Sequence, residues 1–141
     1  MSNQVDRLNA LLGGELSAVE CYTLVIDHAK TPAVISGLTS LRAEHQNRVS
    51  MLSALITKMG GAPTLKSGAW GAFAKIMEAG AVALGETSAL GTLKEGEDHG
   101  IELYESEIKH LEGEALTLVQ NDLLPAQHIT KQAVSDLSDK Y

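Results

Sequence analysis

The sequence predicts an all-α protein of four helices packed as one bundle, and three observations carry that prediction. Four segments place apolar residues at alternating three- and four-residue steps, the period that keeps one helix face on a partner. No alternation of strand type and comparable length competes with them. Each stripe also carries one polar residue near the middle of its helix, where the repeat calls for a core side chain: Glu15, His45, Glu97 and Gln127.

The first stripe runs Val5, Leu8, Leu12, Glu15, Val19, Tyr22, Ile26, and its helix is expected from about Asn3 to Ala29. Gly13 and Gly14 cost that helix about 1 kcal/mol each, which is tolerable where they permit close approach at the polar layer. The second runs Leu38, Leu41, His45, Arg48, Leu52, Leu55, Met59. Thr31 is its expected N-cap, with Pro32 at the first helical position, and Gly60-Gly61 followed by Pro63 ends it.

The segment from Ala62 to Gly85 is too long for a tight turn and holds a short helical pattern of its own, Trp70, Phe73, Ile76 and Met77. It reads as a crossover with an embedded extra helix, which would return the third helix parallel to the second. The third stripe, Leu90, Leu93, Glu97, Gly100, Tyr104, Ile108, Leu111, belongs to a helix expected over about Glu86 to Leu111. The fourth, Leu116, Gln120, Leu123, Gln127, Thr130, Val134, Leu137, belongs to a helix expected over about Glu114 to Asp139. Pro125 lies inside it and should kink it by removing the bond to the Asn121 carbonyl.

At 141 residues the chain is read as a single domain spanning 1–141, long enough to bury a core. Its 44% apolar and 4% aromatic content suits a bundle of Leu, Ala and Val, and its net charge of −7 argues against nucleic acid or an anionic membrane as partner. One cysteine, Cys21, excludes an intrachain disulfide and fits a reducing compartment. The N-terminal MSNQVDRLN has no basic and apolar leader pattern, so a cytoplasmic protein is expected. No phosphate loop, dinucleotide fingerprint, serine-nucleophile elbow or CxxC is found.

Helices joined end to end share a mid-level, so the four polar residues should converge on one buried layer. Carboxylates there must be paired, protonated or bound to a metal. Two readings of the residues follow. In one, Glu15 and Glu97 bridge or flank a divalent ion, with nitrogen from His45 and a carbonyl oxygen from Gln127; iron, manganese or zinc suits such donors. In the other there is no metal: His45 or Arg48 neutralises a carboxylate and Gln127 bridges the rest. Glu44 and His99 lie beside the stripes and could swing inward, but surface positions are expected for both. Tyr22 and Tyr104 lie two turns from the carboxylates, as ligand partners or as core.

The segment Glu15-Leu-Ser-Ala-Val-Glu-Cys-Tyr22 resembles the first-helix pattern of rubrerythrins and bacterioferritins, a ligand Glu seven residues before a Tyr, and Glu97 to Tyr104 repeats the spacing. A fuller resemblance, to bacterial ferritin-like proteins of unknown function, runs through Gly60-Gly61-Ala62-Pro63, Ser67-Gly68-Ala69-Trp70-Gly71 and Glu95-Gly96-Glu97-Asp98-His99-Gly100. The resemblance implies a ferritin-like bundle and a bacterial source. A ferritin-like di-metal centre needs a Glu from each of two helices and a Glu-x-x-His pair from each of the others. Here the residue three before His45 is Arg42, Glu44 is followed by Asn47, and the fourth helix offers Gln127 and Thr130. The expected function is therefore a ferritin-like protein with a vestigial or mononuclear metal layer and no rapid iron oxidation. A metal-free assembly or stress-associated bundle is the alternative, and an oxidase or hydroxylase of a small substrate comes third. Self-association as a dimer is expected.

Overall fold

The structure is a computed structural model and describes residues 2–67 and 85–141. The expected extra helix around Trp70, Phe73, Ile76 and Met77 lies outside the described residues. Among the described residues every regular element is helical: α1 (Ser2–His28), α2 (Pro32–Lys58), α3 (Glu86–Ile108), α4 (Gly113–Leu118), a π-helical turn (Val119–Leu123) and α5 (Leu124–Lys140). The last three form one continuous rod, so the described residues form four rods.

Their directions follow from which residues meet. Gln4, Glu15 and Tyr22 of α1 contact His110, Tyr104 and Glu97 respectively, so α1 and α3 run antiparallel. The starts of α2 and α3 are tied together, because Thr31 donates from its hydroxyl to Glu86 Oε2 (2.9 Å) and from its backbone N–H to Glu86 Oε1 (3.3 Å). Those two helices are therefore parallel, and residues 59–85 connect opposite ends of the fold. A 27-residue helix is about 40 Å long at 1.5 Å per residue, which is why so long a connection is needed. The final rod returns antiparallel to α3, ending with Thr87 bonded to the Tyr141 carbonyl. The rods pack in a ring, α1 on α2 and α3, and α5 on α2 and α3.

The ends of the rods carry local reasons. Gly60 adopts φ +84, and the backbone N–H groups of Gly60 and Gly61 close onto the Thr57 and Ile56 carbonyls. This is the left-handed stop that glycine supplies without a Cβ clash. Thr31 precedes Pro32 as expected but makes no side-chain cap of its own helix; Glu86 claims its hydroxyl instead. Gln4, 8% exposed, clips the turn after α3 by donating to the His110 carbonyl and accepting from the Glu112 N–H.

The fourth rod departs from the expected single α-helix, kinked at Pro125, over about Glu114 to Asp139. A π turn ends at Leu123, two residues before Pro125, which occupies the first turn of α5, where a missing N–H costs little. The wider turn shifts the buried face by one residue upstream of it. Ala115 and Val119 are buried there, whereas Leu116 is half-buried and Gln120 exposed. Downstream, Leu123, Gln127, Thr130 and Val134 follow the expected stripe.

Among the described residues, two apolar clusters form the core. One gathers Val25, Leu38 and Leu90 with Val134, the other Leu8, Leu52 and Leu123 with Val119. Between them lies a layer of buried polar side chains. Gly13 is buried beside the chain that leaves α2, where a Cβ would sit 3.3 Å from the Ser67 carbonyl oxygen. Its close approach is to that segment and not to the polar layer.

Candidate functional site: a buried layer of two carboxylates and two cations

Glu15 on α1, His45 on α2, Glu97 on α3 and Gln127 on α5 all converge in one layer, each no more than 2% exposed. The i,i+3 spacing on α2 places Arg48 on the same face as His45, and on α5 it places Thr130 on the face of Gln127. Both neighbours are buried in the layer as well. Arg48, at 1% exposure, is the largest fully buried side chain among the described residues.

The imidazole of His45 is wedged between the carboxylates, with Nδ1 2.6 Å from Glu15 Oε1 and Nε2 2.7 Å from Glu97 Oε2. With both carboxylates ionised, each of these ring nitrogens donates, which makes the ring a doubly protonated imidazolium. The remaining carboxylate oxygens are also occupied. Glu15 Oε2 accepts from the Tyr104 hydroxyl at 2.5 Å and lies 2.9 Å from Arg48 Nε. Glu97 Oε2 accepts from the Tyr22 hydroxyl at 2.5 Å, while Glu97 Oε1 accepts from Thr130 Oγ1 (2.7 Å) and Gln127 Nε2 (2.9 Å). Gln127 Nε2 also donates to the Glu97 backbone carbonyl at 2.9 Å.

Arg48 holds its place less by aimed hydrogen bonds than by charge. Its Nε is near Glu15 but points its hydrogen elsewhere, and its Nη1 meets no acceptor among the described residues. Its Nη2 donates to Thr130 Oγ1 at 3.2 Å. The same nitrogen lies 2.8 and 3.2 Å from the two ring nitrogens of His45. Those nitrogens already donate to carboxylates, so this is packing of two cations and not a hydrogen bond. Such packing is tolerable only with both carboxylates in contact. Two anions and two cations sum to zero charge, which is what a buried cluster requires.

The proton affinities follow the same logic. Burial alone would lower the His45 pKa, but the charges and hydrogen bonds of Glu15 and Glu97 outweigh it and raise it from 6.5 to about 9. Burial would raise the Glu15 carboxyl, yet His45, Arg48 and the Tyr104 hydrogen bond hold it below its ordinary value. Tyr22 and Tyr104 are pushed well above the usual tyrosine value, first by burial and then by the carboxylates they bond. Both phenols stay protonated donors. The pairing is reciprocal: each tyrosine lies seven residues after the glutamate of its own helix and bonds the glutamate of the other.

Glu44 and His99 are exposed and take no part; His99 faces Glu102 at 3.6 Å. Arg42 is half-buried and bonds Thr23, and Asn47 is exposed. The i,i+3 pair of α2 in the layer is thus His45 with Arg48, not a pair ending at His45. Among the described residues, no group of three or more His, Cys, Asp or Glu side chains is arranged to hold a metal ion. Gly100, on the stripe, was not singled out by the sequence pattern. A Cβ there would lie 2.4 Å from Gln127 Nε2, so its absence is what admits the glutamine.

No curated protein and no solved structure matches the chain. A family model described as domain of unknown function (DUF2383) matches residues 3–110. The matched region includes Glu15, Tyr22, His45, Arg48, Glu97 and Tyr104, and it ends before the rod that supplies Gln127 and Thr130. The chain belongs to the DUF2383 family.

Proposed function

We propose that this chain is a ferritin-like bundle in which two protein cations, His45 and Arg48, stand where metal ions would balance the carboxylates. It serves as a metal-independent helical assembly module, with self-association as its expected mode of action. The single observation that carries the reading is the His45 ring, held at 2.6 and 2.7 Å between Glu15 and Glu97. A di-metal centre does not fit these residues. Two carboxylates and one imidazole are too few donors, and the Arg48 guanidinium stands 2.9 Å from one of the carboxylates. The parallel α2 and α3, joined by a long connection, and the reciprocal Glu-to-Tyr spacing support the ferritin-like assignment.

The layer has a structural consequence that suits such a module. Glu15, Tyr22, His45 and Arg48 come from α1 and α2, whereas Glu97, Tyr104, Gln127 and Thr130 come from α3 and α5. Its bonds from His45 and Tyr22 to Glu97, and from Tyr104 to Glu15, join the two helix pairs. A single polar layer of this kind fixes the register of the helices that share it.

A mononuclear divalent site is the second reading, favoured by the convergence of Glu15, His45, Glu97 and Gln127 from four helices. It requires the imidazolium to give up a proton and its carboxylate contacts, so binding would release protons. Elemental analysis of protein purified without chelator or histidine tag separates the two. Substoichiometric metal, with no rise in melting temperature on adding iron, manganese or zinc, is expected. One tightly held ion per chain would overturn the metal-independent reading.

A further inference from the structure

We draw no further inference here: the strongest candidate, the partly open cavity between α1 and α3 that Ser17, Cys21 and the polar layer line, belongs to the site already described, and none of the buried side-chain atoms left without a partner among the described residues belongs to its lining, so nothing in the structure shows what would fill it.

Discussion

Replacing His45 by leucine removes the group that, among the described residues, bonds both buried carboxylates. Glu15 would keep the Arg48 guanidinium at 2.9 Å and the Tyr104 hydroxyl. Glu97 would keep only the neutral donors Tyr22, Thr130 and Gln127, so its charge would stand uncompensated in the core. Breaking a buried ion pair by removing one partner costs about 3–5 kcal/mol, and the rise of the His45 pKa from 6.5 to about 9 corresponds to about 3 kcal/mol. A loss of about 3–4 kcal/mol at pH 7 is therefore expected for H45L, about 6–16 °C in melting temperature for a chain of this size. Leucine fills much of the volume, so little of the effect comes from a cavity. The deficit should shrink as pH falls toward 4, because protonating a carboxylate removes the charge that His45 balanced. Urea titrations of both proteins from pH 4 to pH 8 measure this. A deficit below about 0.5 kcal/mol at pH 7, the size of an ordinary surface substitution, would refute the compensation reasoning. A deficit independent of pH would reduce the effect to packing.

The wild-type protein should itself be most stable between about pH 5 and 6.5. His45, with its folded pKa raised, contributes fully below 6.5 and loses that contribution as pH rises through about 9, while Glu15, held low, contributes above its ordinary value and loses it as pH falls further; urea midpoints across pH 3 to 10 check the shape. Gln127→Glu adds a third carboxylate with no new cation and should cost a few kcal/mol at neutral pH. A melting temperature raised above wild type by iron, manganese or zinc would instead favour the mononuclear metal site. Gly100→Ala places a Cβ 2.4 Å from Gln127 Nε2 and should cost about 1–3 kcal/mol. The double variant with Gln127→Ala should recover part of that loss, and strict additivity of the two single effects would contradict the close approach.

Much of this layer was legible in the sequence because helix periodicity is a strong signal. A polar residue on an apolar stripe at mid-helix has few places to go, and Glu15, His45, Glu97 and Gln127 meet as that pattern requires. What periodicity could not rank was the second member of each i,i+3 pair. Arg48, on the same stripe, was legible as a cation that could neutralise a carboxylate, but periodicity could not say whether it or His45 would do so. The tertiary arrangement brings both to Glu15. Gly100 was hidden for a related reason, since a glycine on a stripe gives no sign of what approaches it. The fourth rod was misread upstream of Pro125 because the sequence does not announce a π turn, and one extra residue per turn moves the buried face from Leu116 and Gln120 to Ala115 and Val119. Thr31 had the right type and place for an N-cap, but a carboxylate from another helix, Glu86, took its hydroxyl.

The protonation state of His45 in protein purified without chelator tests the central claim most directly. Two-dimensional ¹⁵N NMR of the imidazole distinguishes a doubly protonated ring from either neutral tautomer and from a metal-bound one. An imidazolium with both ring protons protected from exchange at pH 7.5, titrating well above the ordinary histidine value, is what two carboxylates at 2.6 and 2.7 Å demand. A neutral ring with one bare nitrogen at that pH, or a resonance shifted or broadened by a bound metal ion, would contradict it.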